Sequence, residues 1–265
     1  MPVTASSGAR DAGPRHLALI SLCIVLASTT MPCQAAPEEI QVYLDDMKAP
    51  GQASIDFHNN YVFTGRRAPD YAGEQPPEHV YRLTPELNYG LTDVLELGLY
   101  LLSTRDSAGG IHGDGAKVRL KYIAPHASDA GIFWGVNFEV GRTSLRVSET
   151  PWNAELKGIL GWRNGAWLVA FNPNIDGSLS RGGPATADID FKVAYSIDPK
   201  TQVGLEAYNE LGPARHLQSW SRNSKTAYAV IDREFGAFDL NLGIGRGLTH
   251  DADRWTIKFI VGVKS

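Results

Sequence analysis

Leu95-Glu96-Leu97-Gly98-Leu99-Tyr100-Leu101 and Ile132-Phe133-Trp134-Gly135-Val136-Asn137-Phe138-Glu139-Val140 decide how the chain is read. In both, every second residue is large and apolar, while glycine, asparagine and glutamate fall between. A period of two sends alternate side chains to opposite faces of a β-strand, so one face is uncharged and the other carries the polar groups. The same pattern sets Ala116, Val118, Leu120 and Tyr122 against Lys117, Arg119 and Lys121. It sets Ala187, Ile189, Phe191, Val193 and Tyr195 against Asp188, Asp190, Lys192 and Ala194, and Trp255, Ile257, Phe259, Val261 and Val263 against Thr256 and Lys258.

Working outward, such segments predict twelve strands, near 52–64, 79–90, 94–103, 114–124, 131–142, 152–163, 166–175, 186–197, 201–210, 224–234, 237–246 and 254–263. The tenth is the least regular, and its facing is left open. Connections after even strands are short and rich in turn residues, as at Leu91-Thr92-Asp93, Arg163-Asn164-Gly165 and Asp198-Pro199-Lys200. Those after odd strands are longer: 66–78, 104–113, 144–151, 176–185 and 211–223, with a shorter one at 248–253. Aromatic residues gather at strand ends, with Trp162 and Trp167 flanking one turn and Tyr89, Tyr122 and Tyr195 leading into others. Uncharged outer faces, an even strand count, short turns at one rim and long loops at the other predict an all-β fold. It is a closed antiparallel transmembrane barrel, with periplasmic turns, extracellular loops and aromatic girdles where hydrocarbon meets headgroups.

The start of the chain reads as an address. Arg10, Arg15 and His16 precede an uncharged run over 17–27, and a small-residue stretch ends at Cys33-Gln34-Ala35-Ala36. This is the plan of a secretory signal peptide cleaved after Ala35; a lipoprotein signal fits less well, since Thr30-Met31-Pro32 precedes Cys33. Both cysteines, Cys23 and Cys33, fall inside it, which removes disulfides and thiolate chemistry from the mature chain. Without Arg10, Arg15 and Asp11 the 25 basic and 29 acidic residues become 23 and 28, a net charge of −5. Mild acidity with no basic stripe argues against nucleic acid as a partner. With 27 glycines and 43% hydrophobic residues the chain is neither collagen-like nor disordered. Residues 36–51 form a separate N-terminal segment in which Ile40, Val42 and Leu44 alternate with Gln41 and Tyr43. It is read either as a short periplasmic strand or as a piece tucked into the barrel mouth. The barrel itself spans 52–265.

Candidate sites belong to the inward faces and the long loops. The expected lumen lining is Arg82, Glu86, Glu96, Lys117, Arg119, Lys121, Glu139, Glu155, Lys157, Asp188, Asp190, Lys192, Glu206 and Lys258. Such a mixed set either pairs internally or forms a charged path for a solute. Lys117, Arg119 and Lys121 are the one local cluster of a single sign, hence the expected anion-attracting wall. In the first long loop, Arg66 and Arg67 are placed to grip lipopolysaccharide phosphates or to constrict the lumen, and a plain surface loop is equally compatible. The histidines are scattered with no pair at ligand spacing, so no metal or cofactor is expected. A rim hydrolase needs a nucleophile with a matched histidine; His216 and Ser219 in one loop come nearest and do not build a catalytic site.

At Glu39-Ile40-Gln41-Val42-Tyr43, Ala49-Pro50-Gly51, Gly65-Arg66-Arg67, Thr84-Pro85-Glu86-Leu87-Asn88-Tyr89-Gly90 and Glu96-Leu97-Gly98-Leu99-Tyr100 the chain resembles a group of transporter-like proteobacterial outer-membrane proteins. These are grouped loosely with barrels near meta-pathway phenol-degradation genes. The likeness is concentrated over 38–105; it implies a barrel and solute passage and supplies no catalytic residue. Ser265 departs from the terminal aromatic usual in such barrels. Three readings follow: a narrow porin-like channel, a structural or loop-binding barrel plugged by its own side chains, and a soluble periplasmic β-protein. The partners expected for the first two are membrane lipid and lipopolysaccharide.

Overall fold

The computed structural model describes residues 39–264 apart from 128–129, 181–182, 184 and 220–222. The expected export signal over 1–35, both cysteines and Ser265 lie outside the described residues. The strands are β1 (Ala53–Thr64), β2 (Tyr81–Thr92), β3 (Leu95–Arg105), β4 (Ile111–Ile123), β5 (Gly131–Thr143) and β6 (Trp152–Asn164). They continue with β7 (Trp167–Ser178), β8 (Ala185–Asp198), β9 (Thr201–Pro213), β10 (Lys225–Phe235), β11 (Phe238–Gly247) and β12 (Trp255–Lys264). Each pairs antiparallel with its sequence neighbours. β1 also pairs with β12, from Ser54 opposite Lys264 to Thr64 opposite Trp255, which closes the barrel.

Burial follows the period of two. Along β3, Leu97, Leu99 and Leu101 are 39%, 40% and 54% exposed, while Glu96 and Tyr100 keep 3% and 1%. Glutamate inside and leucine outside inverts a soluble protein, and the inversion is satisfied when the outer solvent is hydrocarbon. Trp134, Trp162, Trp167, Tyr89, Tyr195, Phe235 and Phe238 stand exposed near the short-turn rim. Two aromatic pairs there meet edge to face, Trp167 with Tyr195 at 5.0 Å and Tyr122 with Trp134 at 5.8 Å.

Two expectations are corrected. The connection placed at 104–113 shrinks to 106–110, because β3 and β4 run on past the apolar pattern. Asp106 closes that hairpin by accepting from the Ala108 and Gly110 amides at 3.0 and 2.8 Å and bonding His112 at 2.7 Å. The inner face is not uniformly polar: Ile123, Phe133, Ile159, Leu168 and Ala194 form an apolar cluster inside the barrel. Of the two readings of the N-terminal segment, its described part follows the second: it is no strand of its own, residues 39–48 lie within the barrel, and Pro50 makes a single parallel bridge to Gly90 before β1 begins.

Glycine makes the inner apolar cluster possible. Phe133 on β5 lies opposite Gly161 on β6, and any Cβ at 161 would overlap the Phe133 ring. A ring laid over a cross-strand glycine is a known way to fill a curved sheet's inner face. Gly161→Leu is therefore expected to force the ring aside at a cost of about 1–3 kcal/mol. The check is the urea midpoint for unfolding from detergent or lipid, and an unchanged midpoint would show that the ring is not held there.

Candidate functional site

The lumen and the segment inside it form the site. β1 starts at the short-turn rim, and the chain before it folds back into the barrel, so that Asp45 sits near that rim and Ile40 and Tyr43 lie deep. Asn172 on β7 holds Tyr43 as a strand neighbour would: its Oδ1 accepts the Tyr43 amide at 2.7 Å, and its Nδ2 donates to the Tyr43 carbonyl at 3.1 Å. The buried Tyr43 hydroxyl meets Tyr100 at 2.8 Å and has two carboxylate acceptors for its one proton, Glu39 at 2.8 Å and Glu139 at 3.1 Å. Burial first, and then the Glu139 and Glu39 charges, push its pKa well up, so it remains a proton donor. Lys157, Arg119 and Lys121 surround its ring at 5.0, 5.7 and 5.8 Å. Sequence reasoning did not select Tyr43 as a site residue, though it lay in the stretch carrying the family resemblance.

Around this plug the expected lumen residues fall into groups. On one side Arg119 bonds Glu96 at 2.5 Å, Glu86 at 3.1 Å and Asn88 at 2.6 Å. Gly98 lies opposite Arg119, and a side chain there would run into its guanidinium, so the missing Cβ lets the arginine lie flat across the wall. Glu96 also accepts the Lys48 amide at 2.7 Å, and Lys121 donates to the Asp46 carbonyl at 2.5 Å. On the other side Lys258 bonds Glu206, donates to the Ile40 carbonyl at 2.9 Å and lies 5.6 Å from the Tyr228 ring centre. Lys192 links Glu206 at 3.1 Å to Asp232 at 2.8 Å. Ile40 packs on Tyr228 and Val230, which gives β10 its apolar inner face.

The third group lines a cavity of about 190 Å³ that contains Lys117, Glu139, Glu155, Lys157, Asp188 and Asp190. Lys157 reaches Glu155 at 3.4 Å and Asp190 at 3.5 Å. Arg82 is buried apart from these groups, and its charge acts on Asp253 in the last loop. Of the loop pair, Arg66 bonds Glu74 at 2.6 Å and Asp70 at 3.2 Å, and Arg67 pairs with Glu78. Both arginines thus find carboxylates within their own loop. Of the expected basic wall, Arg119 is matched by two glutamates, Lys121 is held by the plug, and Lys117 faces the cavity's carboxylates.

Two arrangements escaped the sequence because their members are far apart in it. Glu39, His58 and Glu86 bring one ligand atom each to within 4.8 Å of the others. There the Arg119 guanidinium already supplies the positive charge. At the short-turn rim Asp45 binds Arg163 and accepts from His126 Nε2 at 2.8 Å, while His126 Nδ1 donates to the Ala124 carbonyl at 2.8 Å. Both ring nitrogens face acceptors, an arrangement that favours the imidazolium. The Ala124 carbonyl and then the Asp45 carboxylate raise the His126 pKa, against the opposing effect of partial burial.

No protein-family model matches the sequence, and no curated protein matches it. Solved structures match the fold. An outer membrane channel from Pseudomonas putida F1 superposes with a TM-score of 0.58 at 15% identity, over 85% of this chain and 99% of that one. The KdgM porin gives 0.54 at 10% identity over 80% and 98% of the two chains, and the NanC porin 0.52 at 10% over 79% and 98%. The chain thus has the fold of outer-membrane channels and porins, a closed antiparallel barrel of twelve strands.

Proposed function

We propose that the chain is a narrow outer-membrane channel for passive passage of small solutes, exported by a signal cleaved after Ala35 and closed by residues 39–48. The observation that carries this reading is the nature of the plug's attachment. A polar lumen with a cavity inside is filled by a segment held through isolated side-chain contacts rather than a strand ladder. Such contacts break one at a time, whereas a ladder must part together. The outer surface would meet lipid and lipopolysaccharide, with the short turns in the periplasm and the long loops outside. The resemblance to transporter-like barrels of the phenol-degradation group supports solute passage. The same lumen, if never vacated, serves a structural or loop-binding barrel instead.

Planar-bilayer recording separates these two. Wild-type protein is expected to show small or intermittent conductance. Tyr43→Ala, which removes the hydroxyl bonds and the ring that three cations surround, should raise the mean conductance several-fold. A heat-dependent gel shift confirms that the variant is folded. Absence of current from both proteins, each folded, would leave the structural barrel as the reading.

The Asp45 clasp adds a pH dependence. A histidine whose folded pKa lies above its ordinary value of about 6.5 stabilises fully below that value and loses the contribution as pH rises through the raised one. Arg163 keeps its hold on Asp45 throughout, so the loosening is partial. Open probability should therefore rise as pH climbs past the ordinary histidine value of about 6.5 and through the raised one, and His126→Ala should flatten that rise. A pH response that survives in the variant would assign it to other groups.

A further inference from the structure

We propose that the cavity beside the plug is a binding vestibule for small organic ammonium ions, which makes the channel prefer cations. The preference rests on the channel reading above; the binding does not. Eight acidic residues and two lysines line the cavity, and β6 to β9 supply one continuous acidic wall through Glu155, Asp176, Asp188, Asp190 and Glu210. Carboxylates enclosed by a low-dielectric barrel need cations beside them, and an enclosed wall of one sign concentrates ions of the other.

A second observation points to what is missing. Asn174, 5% exposed, lines this cavity. Its Nδ2 donates to Asp176 and to Asp188, both at 3.1 Å, which fixes the amide's orientation. That leaves Oδ1 as a buried acceptor with no hydrogen-bond partner among the described residues. A buried acceptor without a donor is costly, and its neighbours here are themselves acceptors. A ligand bearing N–H groups and positive charge satisfies both deficits together.

The chain already shows how an ammonium sits in this place. Lys157 Nζ lies 3.4 Å from Glu155, 3.5 Å from Asp190 and 5.0 Å from the centre of the Tyr43 ring. Tyr71 and Tyr208 extend the aromatic lining. Rings beside carboxylates suit an alkylammonium, whose charge binds the acids and whose carbons meet the rings. A hard divalent metal ion wants a tight oxygen cage instead.

The test uses the full-length folded protein and 1,4-diaminobutane as the probe. In bilayers under a KCl gradient the reversal potential should show preference for K⁺, and the diamine should reduce the current. Asp188→Asn leaves both carboxylate partners of Lys157 in place, and it should weaken block about tenfold, the worth of one charge-assisted contact. Anion preference in the wild type, or block unchanged by the substitution, would overturn the proposal. Titration calorimetry on the detergent-folded barrel tests binding without any current. Diamine heat that falls about tenfold in affinity with Asp188→Asn supports the vestibule even if no conductance is found. No wild-type binding heat rejects it while leaving the channel reading intact.

Discussion

A sheet in hydrocarbon has nothing to bond its edge. Each backbone N–H and C=O left unpaired there costs several kcal/mol, and water is too far away to help. The pairing of β1 with β12 removes that edge, and the rest of the structure depends on it. Once the ring is closed, the pleat leaves no choice about direction: one set of side chains faces lipid and the other faces an enclosed space. The leucines of β3 and the tryptophans near the short-turn rim take the first role. The glutamates, lysines and arginines take the second.

Enclosure then dictates the chemistry of the interior. Arg119 is flanked by Glu86 and Glu96, and Lys192 joins Glu206 to Asp232. The N-terminal segment draws on cations of the same wall: Lys258, bonded to Glu206, also donates to the Ile40 carbonyl, and Lys121 donates to the Asp46 carbonyl beside the Asp46 carboxylate. Tyr43 suits its central place because it is two things at once. Its ring accepts surrounding cations, and its hydroxyl serves surrounding acids.

What the sequence makes legible is what the lipid enforces. Hydrocarbon tolerates no charge on the outer face, so alternation along β3, β5, β8 and β12 is clean, and expected strand ends fall within a few residues of those observed. The interior is less readable, since its rules act across the lumen. β10 looks irregular because Tyr228 and Val230, on its inner face, pack against Ile40 from the plug. Phe133 and Ile159 disguise the inner face for the same reason. Alternation at Ile40 and Val42 resembles that of a strand, yet Ile40, Val42 and the intervening Tyr43 are all buried, because the barrel surrounds the segment on every side. The partnerships of Glu39 with His58 and of Asp45 with His126 span distances along the chain that no spacing rule reaches.

The parallel bridge from Pro50 to Gly90 has a consequence for kinetics. It anchors the plug to the wall only a few residues from the Asp45 clasp, so a displaced segment stays leashed at its own doorway. Its effective concentration there is in the millimolar range or above, as for any short tether. If the segment leaves the lumen, as the channel reading has it, its return would be fast and independent of how much protein the membrane holds. On the channel reading, closure would then be a property of each single barrel, and openings would be brief.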